Sequence, residues 1–516
     1  MTWSFDRATE RARDRYKQTQ DLTITDVVKE IDFELISKTA PRRVVGTHFY
    51  VDVANYNGLL RAADEVEAEE LLRLLHIFAR EVSKIVGSDF DAQKVHFQGP
   101  RLHALSYRPV GDDSRITAKA LLACLAIRHA VGQFNDVFEL SGTTEWKVAA
   151  GLDHGVCVAT KNGSDGDREL LFLGSPANHA AKILRDSGIR MTGAVHELLP
   201  ADFNPYLGQS VVDDSWYVSA APEAVEQLAE SFGWDWSLKK TRTRLEDAAE
   251  KYTTGCVTVS GVEEKIDKDK LGISNTKGIK GASLFADVDG FTGYIDSLSR
   301  EDPDLVEAVR AFHVLRGVMR DTAVQDFEAV RIQYQGDRMQ ALGYRPVDDD
   351  ESIAFEAVAL AAALTSVADK VVPQVVSPAA AKRLAIGIAL GDVLVSKIGE
   401  HGRRDMVSIG GSTAAAAAIQ QRLDGGDIGI DSELRSQLPS WLQGMFTWSV
   451  HARAYVKKDL QYEDLMLLAQ SEKTDRGLGL VAGKATAGAA VAVGAGAYLR
   501  SHDRVPVEPA KPWATG

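Results

Sequence analysis

The sequence predicts an α+β protein built from two copies of one mixed domain. Three observations predict it: a repeat with an offset of 235 to 237 residues, strand-length apolar runs beside amphipathic helices in each copy, and an ordinary globular composition. The repeat is read from four blocks in one order. HFYVDVANY (48–56) resembles LFADVDGF (284–291), and this pairs Asp52 with Asp287. VHFQGPRLHALSYRP (95–109) matches IQYQGDRMQALGYRP (332–346), and GLDHGVCVATK (151–161) matches GIALGDVLVSK (387–397). FLGSPANHAAKIL (172–184) runs parallel to SIGGSTAAAAAIQ (408–420). Ordered matches at nearly one long spacing describe a duplicated domain rather than a solenoid of short units. With 45% hydrophobic and 26% charged residues among 516, the chain can bury a core in each copy.

Within each copy the pattern reads strand, long helix, hairpin, helix, strand, strand, helix. VVGTHFYVDVA and GASLFADVD are β-branched and aromatic runs of strand length. EAEELLRLLHIFAREVSKIV (67–86) and DLVEAVRAFHVLRGVMRDTA (304–323) carry apolar residues at three- and four-residue spacing, as amphipathic helices do. The organisation is then a helical extension over 1–40, a first domain over 41–222, a charged helix-prone linker over 223–278, a second domain over 279–470 and a Gly/Ala-rich tail over 471–516. The linker has no counterpart in the repeat.

Composition excludes several classes. A net charge of −14 works against sequence-independent binding of nucleic acid, which needs a basic surface. Cys124, Cys157 and Cys256 lie too far apart for a disulfide framework or a Cys-rich zinc site, and the twelve histidines show no repeated ligand spacing. The first residues, MTWSFDRATERARDRYKQ, contain no apolar signal segment, so a cytoplasmic location is expected. In the tail, 477–499 is mostly Gly and Ala. Its 15 uncharged residues after Lys484 would make a helix of about 22 Å, short of the roughly 30 Å hydrocarbon core. Weak membrane contact through 477–499 is the expectation, and a span is the alternative.

Chemistry concentrates in the second copy. Asp287 ends an apolar strand, and Gly336-Asp337 lies between IQYQ and RMQALGY, where Gly supplies the positive φ of a tight hairpin. A strand end and a hairpin tip can lie side by side. Two carboxylates meeting there suit Mg²⁺ or Mn²⁺, ions that take few protein ligands and complete their shell with phosphate and water. Taken alone, Asp337 reads equally as a turn residue.

The order FADVDGF, strand–Gly-Asp–strand, a Gly-rich strand and IGG or LGSPAN leading into a helix resembles the catalytic domain of the class III nucleotide cyclases. The resemblance covers both copies, about 370 of the 516 residues. It implies two tandem ferredoxin-like domains packed as an intramolecular pseudo-heterodimer. It also implies conversion of a nucleoside triphosphate to a 3′,5′-cyclic nucleotide and pyrophosphate, with two Mg²⁺ or Mn²⁺ ions per site. The metal set it implies is Asp287, Val288 and Asp337; the partner domain supplies an Asn and an Arg one helical turn apart. Copy two has Ala414 and Ala418 at those later positions, whereas copy one has Asn178 and Lys182. Copy one keeps Asp52 but has Pro100 where copy two has Asp337. The losses are complementary, so one working site is expected, with Asn178 and Lys182 as catalytic groups. Lys in place of Arg offers a mobile point charge rather than a fork, and Lys182 also reads as a solvated helix lysine.

The positions that read a purine in similar cyclases are His96 and Leu171 here, and Leu171 can neither donate nor accept a hydrogen bond. Tyr50, with Phe49 and Tyr56, could narrow the pocket, although strand aromatics also serve cores. The expected substrate is a pyrimidine triphosphate, UTP ahead of CTP with ATP as the alternative. The resemblance extends to bacterial pyrimidine cyclases of anti-phage systems, whose product signals to a separate effector. A cyclase-like protein that binds nucleotide without turnover is the reading from another class. Lys457 and Lys458 stand where the family places a phosphate-binding lysine, but on the wrong copy for this site, and they stay unassigned.

Overall fold

The computed structural model describes residues 3–62, 65–162, 169–185, 187–210, 215–298, 303–378, 380–400, 402 and 404–481. The tail from 482 onward, including most of 477–499, lies outside the described residues. Copy one contains strands β1 (Arg42–Val53), β2 (Gln93–Gln98), β3 (Arg101–Ser106), β4 (Val148–Asn162), β5 (Glu169–Leu173), β6 (Gly188–Met191), β7 (Leu207–Gln209) and β8 (Trp216–Val218). They form a mixed sheet in the order β2-β3-β1-β4-β6-β8-β7, with β5 paired to β4. Copy two repeats this with β9 (Thr276–Val288), β10 (Val330–Gln335), β11 (Arg338–Gly343), β12 (Leu384–Ile398), β13 (Asp405–Ile409), β14 (Asp427–Ile430), β15 (Thr447–Ser449) and β16 (Ala454–Lys458). Its order is β10-β11-β9-β12-β14-β16-β15, with β13 on β12.

Side-chain alternation along the first strand of each copy decides what each sheet face meets. In β1, Phe49, Val51 and Val53 enter the core of copy one, which leaves His48, Tyr50 and Asp52 on the opposite face. In β9, Leu284, Ala286 and Val288 enter the core of copy two, which leaves Ser283, Phe285 and Asp287 opposite. Helices α2 (Glu65–Lys84) and α3 (Asp113–Val137) cover the core face of copy one. Helices α8 (Pro303–Asp321) and α9 (Asp350–Ser366) cover that of copy two. Residues 350–374 are the one described helical stretch long and apolar enough to cross a membrane, and 89% of that apolar window is buried within the protein.

The cores are not independent. Val158, Leu171 and Leu173, from the β4–β5 hairpin of copy one, pack into the core of copy two. Their counterparts Leu394, Val407 and Ile409, together with Ile398, pack into the core of copy one. Each such side chain, if fully buried, contributes about 1.5–3 kcal/mol, so the exchange ties the copies into one body.

A second exchange corrects the sequence reading. Helix α1 (Phe5–Lys17) precedes copy one yet packs on α8 of copy two, burying Ala8 and Ala12. Arg7 and Arg11 reach Asp326 at 2.9 and 2.7 Å, and Arg15 pairs with Asp321. In the linker, α5 (Pro222–Ser231) packs on α3. Helix α6 (Leu238–Lys251) precedes copy two yet packs on α2 and α3 of copy one. Arg244 there meets Glu81 at 2.6 Å and Asp89 at 2.8 Å. Asp89 and Asp326 each end a one-turn π-helical extension, Ile85–Asp89 and Thr322–Asp326. The dipeptides Thr25–Asp26 and Val259–Ser260 pair in parallel with the starts of β1 and β9. The linker therefore does have a counterpart, in residues 1–40. FDRATERARDRYK and LKKTRTRLEDAAEK conceal it because a half-exposed helix held by a few arginines and small apolar residues constrains little sequence.

The Asp326→Ala substitution removes the buried carboxylate that Arg7 and Arg11 share. It is expected to destabilise the protein by about 2–3 kcal/mol, below the range for a fully buried pair because both arginines are partly solvated. Chemical denaturation measures the loss, and limited proteolysis should cut earlier within 5–17.

Candidate active site

The two carboxylates are brought together by one strand end and one hairpin tip. Strand β9 stops at Val288, where Gly290 takes a left-handed φ of 67° before helix α7 (Phe291–Ser297) begins. Beside it the β10–β11 hairpin turns at Gly336, with φ 69°. The cross-strand pairing of Ala286 with Met339 brings Asp287 to the end of the hairpin that carries Asp337. Gln420 donates to Asp287 Oδ2 from 3.1 Å. The Arg338 guanidinium lies 4.8 Å over the Phe285 ring and donates to Gln420 Oε1 at 3.3 Å.

Burial dominates the protonation of each carboxylate. Burial, followed by repulsion from Asp287, pushes Asp337 up to about 8. Burial also raises Asp287, against the pull of Arg338. One guanidinium does not hold both carboxylates charged, and a divalent cation is the compensation the donor set fits. Val288 has a side chain buried in the core and can offer only its main-chain carbonyl. Among the described residues no group of three or more His, Cys, Asp or Glu could hold a metal. Two carboxylates and a carbonyl suit an ion that takes the rest of its shell from phosphate and water.

The equivalent place in copy one is chemically closed. The hairpin survives, with Gly99 at φ 60°, but Pro100 follows it. Arg101, the counterpart of Arg338, binds Asp52 Oδ2 through Nη2 at 2.7 Å and Nε at 2.9 Å. A lone carboxylate already matched to a guanidinium has no charge left over for a metal. Ala414 and Ala418 lie on α10 (Gly411–Gln420), the helix equivalent to the one that bears Asn178 in copy one.

Asn178 and Lys182 lie on α4 (Ser175–Lys182), which starts after Gly174 with Pro176 in its first turn. A β-carbon at Gly151 of β4 would collide with the Ala180 carbonyl, so this glycine lets α4 lie flat on the sheet. Helix α4, which bears Asn178, packs against α7, the helix that follows Asp287. The Asn178 amide donates to the Gly174 carbonyl at 3.3 Å. Lys182 is the last residue of α4 and exposed, at the helix end where a cation is favoured.

Next to the carboxylates, Tyr50 stacks flat on His103, with ring centroids 4.3 Å apart and planes 6° apart. Burial pushes its phenol up, and Asp337 of the other copy adds to the shift. His103 shares a hydrogen with His48 at 3.0 Å. Burial holds both imidazoles neutral, His48 near 3. His96 stands edge-on to His103, and the Gln98 amide donates to its Nε2 from 2.7 Å. Burial keeps His96 neutral as well. Leu171 is 4% exposed and packs in the core of copy two, so its apolar character has a packing reason independent of any base. Phe49 is likewise core. Val218 occupies in β8 the register that Lys457 occupies in β16, so copy one supplies no lysine there.

Sequence reasoning did not single out Gln98, Arg338 or Gln420. Arg101 and Arg338 were within reach, since GPR and GDR align across the repeat. Gln420 closes the last repeat block but bears no charge to draw notice.

Two mixed-sheet domains that exchange hairpins in this way resemble the architecture of the class III nucleotide cyclases. A crystal structure described as a class III adenylyl cyclase-like ATP-binding protein from Pseudomonas aeruginosa matches with a TM-score of 0.75 at 25% identity, over 90% of this chain and 98% of that one. In sequence the chain is similar to a uridylate cyclase of Pseudomonas aeruginosa, 28% identical over 465 residues, which covers 86% of this chain and 88% of the relative. A uridylate cyclase of a Rhizobium species is 25% identical over 413 residues, 76% of this chain and 77% of that protein. No protein-family model matches the sequence.

The raised Asp337 gives a sign to the pH response. In the metal-free protein the folded state keeps a proton that the unfolded chain releases near pH 4, so stability should fall as pH rises from about 4 through about 8. Thermal unfolding in EDTA should show this fall, and Asp337→Asn should flatten it and raise the midpoint at pH 8. Mn²⁺ affinity should increase with pH up to about 8, with proton release on binding, and then level off.

Proposed function

We propose that this chain is a nucleotide cyclase with one working site, converting UTP to 3′,5′-cyclic UMP and pyrophosphate. The observation that carries the reading is the unequal pair of carboxylate positions: Asp287 and Asp337 outnumber the guanidinium beside them and precede a helix that packs on the Asn178 helix, while Asp52 is already occupied by Arg101. Asp287, Asp337 and the Val288 carbonyl would hold the ions. When bound, Mg²⁺ or Mn²⁺ supplies acidification of the ribose 3′-hydroxyl and a clamp on the triphosphate. The 3′-oxygen attacks the α-phosphorus, the bond from that phosphorus to the bridging oxygen breaks, and the hydroxyl proton passes to solvent. Asn178 orients the ribose, and Lys182 offsets charge that builds on the α-phosphate. Tyr50, held flat by His103, presents an apolar ring beside the metal carboxylates and restricts the base. The two relatives named uridylate cyclase support uracil as that base. In the cell, the product would signal to a separate effector in anti-phage defence.

A second reading, nucleotide binding without turnover, has in its favour the exposure of Lys182 and the description of the structural relative as an ATP-binding protein. Incubation with Mn²⁺ and each of ATP, GTP, CTP and UTP, with products identified by mass, separates the readings; cyclic UMP from UTP is expected, and no product from any of the four overturns the first. Asp337→Ala and Asn178→Ala are each expected to lower kcat about 100-fold or more. Asp52→Asn should leave it within about fivefold, the size of a partly exposed ion pair. Equal damage from Asp52→Asn and Asp337→Ala would place the reaction in the wrong cleft.

A further inference from the structure

Arg101 and Arg338 follow equivalent hairpin turns, yet their guanidinium groups go to different partners. Arg101 holds Asp52 through Nη2 and Nε. The described contacts of the Arg338 guanidinium are Gln420 Oε1 at 3.3 Å, Gln335 Oε1 and the Phe285 ring. Two carboxylates attract a guanidinium more strongly than one, so a group that competes for Arg338 is needed beside the hairpin tip. Gln420 is placed to compete. It is the last residue of α10 and only 4% exposed. A β-carbon at Gly387 of β12, the cross-strand partner of Phe285, would meet Gln420 N at 2.6 Å and Cβ at 2.9 Å, so this glycine seats Gln420 on the sheet. There its Oε1 accepts from Arg338 while its Nε2 donates to Asp287 Oδ2 at 3.1 Å. Copy one has no such group at the aligned position. Leu184 matches Gln420 in the repeat, and Gln98, the counterpart of Gln335, gives its amide to His96.

We infer that Gln420 is a positioning residue that keeps Asp287 open to a divalent cation, by taking Arg338 as a hydrogen-bond partner and so preventing the ion pair that occupies Asp52. This inference rests on the nucleotide cyclase reading, in which Asp287 is a metal ligand, and deepens it. A primary amide is both acceptor and donor and has no net charge. Set between the two groups, it satisfies the guanidinium and steadies the carboxylate without neutralising it. A fork of charge-assisted hydrogen bonds, as at Asp52, is among the strongest polar contacts a carboxylate makes, and a cation would have to displace it. A hydrogen bond from a neutral amide instead orients the ligand oxygen and leaves its charge for the ion. The hairpin tip sets how many carboxylates are present, and Gln420 sets whether the one on the strand is free.

The test is a double-mutant cycle on the full chain, with Mn²⁺ affinity read from the electron paramagnetic resonance signal of the free ion. The unmodified protein, Gln420→Leu, Arg338→Met and the combined variant are each titrated. Gln420→Leu installs the residue of copy one and should weaken Mn²⁺ binding by about tenfold or more while Arg338 is present, the loss typical of a group that supports a metal ligand. In the Arg338→Met background the same substitution should cost about threefold or less, because no guanidinium remains to close the site. An equal loss in both backgrounds overturns the inference, since the effect is then one of packing alone, and so does no loss in either. If Gln420→Leu does not fold, Gln420→Met, close to Gln in length but without its amide, enters the same cycle. A crystal structure of the substituted protein in EDTA reads the geometry apart from any metal. The Arg338 guanidinium is expected on Asp287, as Arg101 is on Asp52, and a guanidinium still over Phe285 overturns the inference. If the unmodified protein binds no Mn²⁺, the metal reading falls while that structure still judges Gln420.

Discussion

The structure depends on one constraint: neither copy completes its core without the other. Val158, Leu171 and Leu173 cross in one direction, and Leu394, Val407 and Ile409 cross in the other. Because the donors are paired β-hairpins, their strands stay satisfied while their apolar faces are lent across the interface. This fixes how the sheets oppose each other, and with it the two clefts between them. The arginine clamps of α1 and α6 reinforce the arrangement from outside, each reaching from one copy to an aspartate of the other.

On this symmetric frame the two clefts differ by few residues. Asp52 and Asp287 occupy equivalent strand positions, as do Arg101 and Arg338. What separates them is the hairpin tip. With Pro100 there, Arg101 settles on the single carboxylate. With Asp337 there, the guanidinium lies over Phe285 and the second carboxylate is driven toward its protonated form. One substitution thus turns a satisfied ion pair into a site with one carboxylate more than its guanidinium can hold charged. Asn178 and Lys182, proposed for the other half of the chemistry, have alanines as counterparts in copy two and lie on the helix that packs against α7.

Much of this was legible in the sequence because it rests on local pattern. The duplication, the strand and helix order and the meeting of Asp287 with Asp337 follow from apolar periodicity and a two-residue turn. What was not legible depends on long-range packing. The repeat extends into α1 and α6, but their exposed faces had diverged beyond recognition. Leu171 reads from sequence as a base-pocket position and from structure as core. Gln98 and Gln420 are uncharged, and their relevance comes only from what they touch.

The fusion of both copies into one polypeptide has a kinetic meaning. A catalyst assembled from separate identical subunits forms by collision, so dilution can empty it, and any change in one subunit appears twice. Here the pairing is intramolecular, with α6 of the connector folded onto copy one, and the effective concentration of one half for the other is independent of expression level. The partition of duties between the halves is therefore inherited as a unit. Even a few molecules per cell would each hold a fully assembled catalyst.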